Sequence, residues 1–327
     1  MLNRREILAC LSVQPLARAA APIPTGAKPV SHGRINAGEG PVWHPRGVLY
    51  FSGRNRITQR DAAGNVSVYR ENAGSNGLLI DRQGRLTVCE ARSRRVTRTD
   101  SGSATTVLAD VFRGRRFNSP NDLTIDSQGR IYFSDPRYGA RSSMEMRDSS
   151  GHLVEGVYRI DAPGQVARII SHEVDRPNGL LVSPKDEYLY VADNNNDTVG
   201  GARKLWRFPL LNDGSIDSAG RELIFDWLEG RGPDGLEMDQ AGRLFVAAGR
   251  NRPNPPFESA DRYQGGVYIL SPTGDLIDFV AIPVDEVTNC AFGGTDWKTL
   301  FITAGGELWS IPTTSPGWVP YPRDRPI

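Results

Sequence analysis

The sequence predicts an all-β fold: a six-bladed β-propeller with four antiparallel strands per blade, its ring closed by an N-terminal strand. Three observations carry that reading. First, a polar residue followed by an apolar run recurs six times: EGPVWHPRGVLYFSG from Glu39, NGLLIDRQGRLTVCEA from Asn76, NDLTIDSQGRIYFSD from Asn121, NGLLVSPKDEYLYVADNN from Asn178, DGLEMDQAGRLFVAA from Asp234 and, more loosely, NCAFGGTDWKTLFITA from Asn289. Second, the leading residues at 39, 76, 121, 178, 234 and 289 stand 37, 45, 57, 56 and 55 residues apart, a repeat length typical of propellers and solenoids. Third, the last repeat supplies only three strands, while KPVSHGRIN (28–36) precedes the first repeat with no partner of its own.

One repeat shows how the strands arise. From Gly77 the chain extends to Ile80, turns at Asp81-Arg82-Gln83-Gly84 and returns through Leu86 to Cys89. It crosses back over Arg95 to Thr99, turns at Asp100-Ser101-Gly102 and ends with Ala104 to Leu108. Gly and Asp stand where tight hairpins require them. Four antiparallel strands, six times over, make a propeller. In the last repeat, strands near 290–293, 299–303 and 307–311 precede SPGWVPYPRDRPI, so pairing residues 28–36 with that blade closes the ring and hides its edges. The propeller is expected over residues 28–327 with no second domain.

Composition narrows the function. The 327 residues include 24% charged and 39% hydrophobic side chains, 35 Gly and 23 Pro, which suits a turn-rich globular protein. The formal net charge is +1 and no Lys/Arg tract occurs, so nucleic acid is not an expected partner. No stretch reaches the roughly 20 apolar residues of a membrane helix. The opening MLNRREILACLSVQPLARAAAPIP reads as an export signal over residues 1–21, with Arg4-Arg5 suggesting the twin-arginine route and small residues near Ala17 to Ala21 offering a cleavage site. A periplasmic location follows from that reading. Cys89 and Cys290 lie in apolar segments and are expected as buried thiols rather than a disulfide framework.

The six leading residues are the candidate site. The first strand of a propeller blade is the innermost, so Glu39, Asn76, Asn121, Asn178, Asp234 and Asn289 converge on one mouth of the central channel. Asn-Gly and Asp-Gly are ordinary turn dipeptides. Six in phase are not, and Glu39 is no turn former. Two buried carboxylates among amides repel each other unless a cation or shared protons relieve them. All the donors are oxygen, which points to a hard cation, Ca²⁺ before Mg²⁺ or Mn²⁺, with Zn²⁺ less favoured.

EGPVW at Glu39, Asn-Asp at Asn121, PNGL at Asn178 and PDGLEMDQAGRLFVA at Asp234 resemble the gluconolactonase/regucalcin (SMP-30-like) family of six-bladed metal-dependent lactonases. The resemblance spans nearly all of residues 28–312 and implies hydrolysis of a sugar lactone or related cyclic ester. It implies a divalent metal held by Glu39, Asn178 and Asp234, with Asn121 beside it contacting metal or substrate. Asn76 and Asn289, the remaining amides of the ring, are assigned to the substrate. One departure stands out: Ser119 occupies the place of a sugar-contacting arginine in regucalcin-like members.

On this reading a cation polarises the lactone carbonyl and a carboxylate activates water. Asp234 is the candidate base, with pure ligation and direct nucleophilic attack as alternatives. Two other readings of the ring stay open: a phosphotriesterase-like hydrolase, and a binding module whose ion is structural. No G-x-S-x-G, HExxH or P-loop pattern occurs. DNNNDTVGGARK from Asp193 imitates an EF-hand start, but Thr198 and Lys204 break the pattern, so a polar loop is expected. The insertions at 140–156 and 249–266 fall on the face of the ring and read either as a lid or substrate wall, with Tyr138, Met144, Met146, Phe257 and Tyr263 offering apolar contacts, or as ordinary surface loops.

Overall fold

The computed structural model describes residues 20–100 and 104–320. The expected export signal, residues 1–21, therefore lies almost entirely outside the described residues. Among those described, no helix is long and apolar enough to cross a membrane.

Alternation of apolar and polar side chains around tight turns yields six four-stranded antiparallel sheets, five of them meanders in sequence order. Blade 1 comprises Glu39–His44, Val48–Gly53, Arg56–Asp61 and Val66–Arg70; blade 2 comprises Leu78–Ile80, Leu86–Glu90, Arg95–Thr99 and Thr105–Ala109. Blades 3, 4 and 5 begin at Leu123, Pro177 and Leu236 and end at Ile170, Asp226 and Ala281. Blade 6 takes Val287–Gly293, Thr299–Ala304 and Gly306–Pro312 from the C-terminal end of the chain and Val30–Ala37 from the N-terminal end. The registers Val30↔Ser310 and Ala37↔Gly306 close the ring as the unpartnered N-terminal segment predicts.

The DRQGR, DSQGR and DQAGR repeats explain the turns between the first two strands. Asp81 accepts the backbone N–H groups of Gln83 and Arg85 at 2.9 Å each and pairs with the Arg85 guanidinium at 2.7 Å. Asp126 with Arg130, and Asp239 with Arg243, repeat the arrangement. Each turn satisfies its own carboxylate. These turns define the face opposite the polar ring.

Apolar side chains pack between neighbouring blades. Trp43 of blade 1 stacks on Phe301 of blade 6 at 5.8 Å, and Phe245 of blade 5 meets Phe292 of blade 6 edge-on at 4.9 Å. Cys89 and Cys290 are buried free thiols, as expected. His44 is buried too, its Nε2 3.1 Å from the Gly84 carbonyl, a structural role.

Beyond the last strand, the C-terminal segment is ordered by backbone hydrogen bonds, and residues 313–320 cross the far face. Gln240 N–H donates to Pro316 O at 2.9 Å and Trp318 N–H to Met238 O at 2.7 Å. Trp318, Val319 and Pro320 line the floor of the channel. The signal was faint because Pro and Trp without periodicity read as loop.

Candidate functional site at the channel mouth

The inner strands approach so closely at the mouth that the residue after each ring member is constrained. A Cβ on Gly179 would lie 2.1 Å from Asp234 O, and one on Gly235 would lie 2.0 Å from the Asn289 side chain. The Gly179 N–H donates to Asp234 O at 3.1 Å, and Gly77 N–H to Asn121 O at 2.7 Å, tying blade to blade. The glycines therefore serve close packing, and the ring is a consequence of it.

Of the six expected residues, Asn121, Asn178, Asp234 and Asn289 are buried, while Glu39 and Asn76 are half-buried. The Asn289 amide opposes the rise of Glu39 and the Asn178 amide that of Asp234, so these four are electrostatically linked in the ring. Asn178 also donates Nδ2 to the Tyr138 hydroxyl at 2.7 Å, which sets the orientation of the amide. Asn289 Oδ1 accepts Cys290 N–H at 2.8 Å. Asn76 joins the mouth through its backbone: its N–H donates to Cys89 O at 2.9 Å, and its carbonyl abuts Gly40. Asn121 sits likewise at the start of blade 3, with its N–H on Ser134 O at 2.9 Å.

Sequence reasoning missed two carboxylates. Asp122 takes the place that glycine fills in blades 1, 2, 4 and 5, and two residues further along each inner strand Glu237 stands where other blades carry Val42, Leu79, Thr124, Leu181 and Phe292. Both line a channel cavity of about 90 Å³ beneath the ring. The period-2 alternation of the inner strand held the signal, because residues one and three after the ring member face the channel.

Electrostatics set the mouth apart from the rest of the fold. Burial, reinforced by Asp234 and Asp122, holds Glu39 well above the usual carboxylate range. Asp234 is pushed up to about 6, by burial first, with Arg231 opposing and Glu286 adding to the rise. Burial raises Asp122 to about 7 and Glu237 to about 8, with Asp234 and Asp122 respectively adding to it. Such a column of carboxylates calls for positive charge.

Arginine networks surround the ring. Arg231 Nη2 lies 3.3 Å from Asp234 and 3.0 Å from Glu286, and its Nη1 lies 3.4 Å from Glu258. Arg250 bridges Glu258 at 3.2 Å and also pairs with Glu286. Across the mouth the fully buried Arg176 meets Glu155 at 2.9 Å and Asp197 at 2.6 Å, and stacks over Tyr138 at 5.1 Å.

The insertions reach this face through Glu155, which pairs with Arg176, and Glu258, which pairs with Arg231, while most of their apolar residues turn elsewhere. Met146 is buried in the core between blades 2 and 3, and Tyr263 packs against Phe225 at 5.9 Å in the core between blades 4 and 5. Met144 is buried as well, while Phe257 is half-buried and Tyr138 reaches the ring. Hairpin geometry placed the loops, but their side chains were claimed by the cores beneath them. Ser119 donates its hydroxyl to Pro136 O at 2.6 Å. The EF-hand-like stretch is structural: Asp193 accepts Arg176 N–H at 2.8 Å and Trp206 Nε1–H at 3.2 Å.

The donor set fits a hard divalent cation. Glu39 and Asp234 would supply carboxylates, of which Asp234 adds to the rise of Glu39, Asn178 and Asn121 would supply amide oxygens, and imidazole and thiolate donors are missing from the ring. No group of three His, Cys, Asp or Glu side chains converges as a metal cluster among the described residues, so amides are needed to complete the set.

With this geometry in view, comparison with known proteins decides the family. The SMP-30/Gluconolactonase/LRE-like region family matches residues 37–306. The chain belongs to that family. Among its relatives, the Gluconolactonase of Zymomonas mobilis is 29% identical over 86% of this chain and 80% of its own length. The 6-deoxy-6-sulfogluconolactonase of Pseudomonas putida is 31% identical over 83% and 84%. A solved gluconolactonase from Xanthomonas campestris superposes with a TM-score of 0.73 at 29% identity, covering 91% of this chain and 92% of that one.

Proposed function

We propose that this SMP-30-family protein is a divalent-cation-dependent hydrolase of sugar lactones, acting at the mouth of the propeller channel. The observation that carries the reading is the mouth of the channel itself, where Asn178 is oriented by the Tyr138 hydroxyl at 2.7 Å, Asp234 lies 3.3 Å from Arg231, and Asp234 adds to the rise of Glu39. Relatives named as lactonases align over more than four fifths of the chain and support the substrate class.

Glu39, Asn178 and Asp234 would hold the cation, with Asn121 beside them. When bound it would polarise the lactone carbonyl and offset the charge that develops on its oxygen. Asp234 is the candidate to take a proton from the attacking water, and a cation bound to it would lower its basicity from the raised value it has in the cation-free chain. Tyr138 fixes Asn178, and Arg231 fixes Asp234 from behind. Water adds to the acyl carbon, the bond to the ring oxygen breaks, and that oxygen leaves as a hydroxyl after accepting a proton. The products are the open-chain carboxylate and one net proton. Asn76 and Asn289 are assigned to substrate hydroxyl groups at the rim.

The test is proton release from aldonolactones and simple γ- and δ-lactones by protein with Ca²⁺, with EDTA, and as Asp234→Ala. Turnover abolished in both controls supports the reading. No turnover of any lactone by the folded, cation-loaded protein sinks it. Export is proposed alongside, supported by Arg4-Arg5 and the small residues near Ala21; N-terminal sequencing of protein recovered from the periplasm of a bacterial host checks it.

A further inference from the structure

The segment VFRGRRF at 111–117 holds Arg113, Arg115 and Arg116, and the fold turns all of them outward. Val111–Phe112 and Arg115–Arg116 pair as a hairpin whose turn residues, Arg113 and Gly114, have φ of 51° and 74°, the left-handed pair that a two-residue turn needs. Beside the hairpin, the outer strand of blade 3 and the tip of the 140–156 insertion contribute Arg168 and Arg147, joined by Arg168 Nη1 donating to Arg147 O at 3.0 Å. The guanidinium groups of Arg113 and Arg168 lie over the Phe112 ring at 5.2 and 5.6 Å, which fixes their planes and leaves N–H edges for an anion. Hairpin and strand line a groove of about 560 Å³ on the outer wall between blades 2 and 3.

This wall is positive when every charged neighbour is counted. Arg94 joins it, donating to Phe117 O and pairing with Glu145 at 3.0 Å. Glu145 also accepts the Arg116 N–H, and Asp148 takes His152 at 3.2 Å and His172 at 3.1 Å. Asp110 adjoins the hairpin, and Glu173 accepts the N–H groups of Ser171 and His172 while Arg221 donates to its carbonyl. Arg159 and Asp161, one strand in, cancel each other at 2.7 Å. Arg94, Arg113, Arg115, Arg116, Arg147, Arg168 and Arg221 thus outnumber Asp110, Glu145, Asp148 and Glu173, whatever the state of the two histidines. Arg115 and Arg147 spend a donor each on the carbonyls of Glu145 and Gly151, and neither they nor Arg113, Arg116 and Arg168 pair with a carboxylate among the described residues. Apolar side chains stand exposed among these charges, Val111 at 47% and Leu153, which bridges to Arg147, at 38%.

We propose that this wall docks on the surface of an anionic phospholipid bilayer, with the arginines against headgroup phosphates and Val111 and Leu153 entering the boundary with the acyl chains. Charge complementarity selects an anionic partner, since guanidinium groups match phosphate geometry and each adds to the attraction. The exposed apolar pair selects lipid over a soluble polyanion, which offers charge but no apolar layer to receive them. The patch draws on four separate stretches of chain, so no basic tract marks it in the sequence. None of its residues belongs to the ring at the channel mouth, and the proposal holds or fails independently of the lactonase reading.

The experiment is flotation of the full chain with vesicles of phosphatidylcholine alone and of phosphatidylcholine mixed with phosphatidylglycerol, at low and raised salt. Binding is expected to the mixed vesicles only, weakening as salt rises. Arg113→Glu with Arg116→Glu should weaken it by at least about 30-fold and Val111→Ser by about threefold. Lys185→Glu with Lys298→Glu makes the same change in net charge at exposed sites outside the patch and should stay within about twofold of wild type. Arg113→Gln with Arg116→Gln, expected to lose about tenfold, serves if the charge reversal does not fold. Failure to bind the mixed vesicles at low salt overturns the proposal, as does an equal loss in the two charge-reversed variants. Binding that survives removal of Arg113 and Arg116, as attachment through residues 1–19 would, overturns it too. Unchanged binding by Val111→Ser, or capture by dextran sulfate tighter than by vesicles, replaces the bilayer with a soluble polyanion.

Discussion

The two ends of the inner strands use the same residue type to opposite ends. At the far face Asp81, Asp126 and Asp239 each close a turn, accept backbone N–H groups and pair with an arginine four residues on. At the mouth Glu39 and Asp234 face each other across the ring, with Asp122 and Glu237 below, and every carboxylate in that column is raised by burial. A buried acid whose own turn satisfies it is scaffold. A buried acid left facing other acids is a candidate functional group.

The largest expected effect separates the two ends directly. Asp234→Ala should lower lactone kcat/KM by about a thousandfold or more and abolish Ca²⁺ binding by calorimetry, while the metal-free variant melts no earlier than the metal-free wild type, because a repelling buried charge has been removed. Next comes the far end, where Asp126→Ala should cost about 3 kcal/mol of stability by urea unfolding, since Arg130 loses its partner and Tyr132 loses an acceptor at 3.0 Å. Its kcat/KM, measured where the variant is folded, should stay within about twofold of wild type, the energy of a ring that is not reached from that end. Retained stability would show that the far turns are not the scaffold described here.

A smaller effect is expected from a residue that braces the ring. Tyr138→Phe keeps the ring under Arg176 but loses the hydroxyl that Asn178 meets at 2.7 Å, and should weaken Ca²⁺ affinity by about tenfold in a direct titration. The smallest effect is on pH dependence. The mouth carboxylates hold protons more tightly folded than unfolded, with Asp234 raised to about 6 and Asp122 to about 7. The folded metal-free state then binds more protons than the unfolded one between about pH 4 and 7, so its stability falls as pH rises through that window. The melting temperature without cation should drop by several degrees from pH 5 to pH 8, and Ca²⁺ should restore more at pH 8 than at pH 5. A cation effect of equal size at both pH values would contradict the unrelieved repulsion at the mouth.

Much of this was legible in the chain because it is written six times. The 1-to-2 strand turns, the inner-strand apolar runs and the lone N-terminal strand each appear as local patterns, and Glu39, Asn178, Asp234 and Asn289 stand in phase with them. The glycines after Asn178 and Asp234 read as turn residues, yet their cause is a neighbouring blade 2.1 and 2.0 Å from where a Cβ would be. Asp122 and Glu237 were overlooked because they break the repeat, and a repeat directs attention to what recurs. The insertion residues Met146 and Tyr263 were assigned outward because a loop sequence carries no record of which core lies under it.

Local pattern along the chain is enough to fix the all-β repeat, the number of blades, the partner of the N-terminal strand and the phase of the ring residues, because hairpins and strand periodicity depend on near neighbours. The charge environment of the mouth depends instead on contacts that form only on folding. Asp234 meets Arg231 three residues away, but Arg231 meets Glu258 and Glu286 from a loop and from the next blade, Asn178 meets Tyr138 from blade 3, and the channel floor comes from Trp318. Those contacts join residues dozens to hundreds of positions apart, and the burial that sets their energies exists only once the ring has closed.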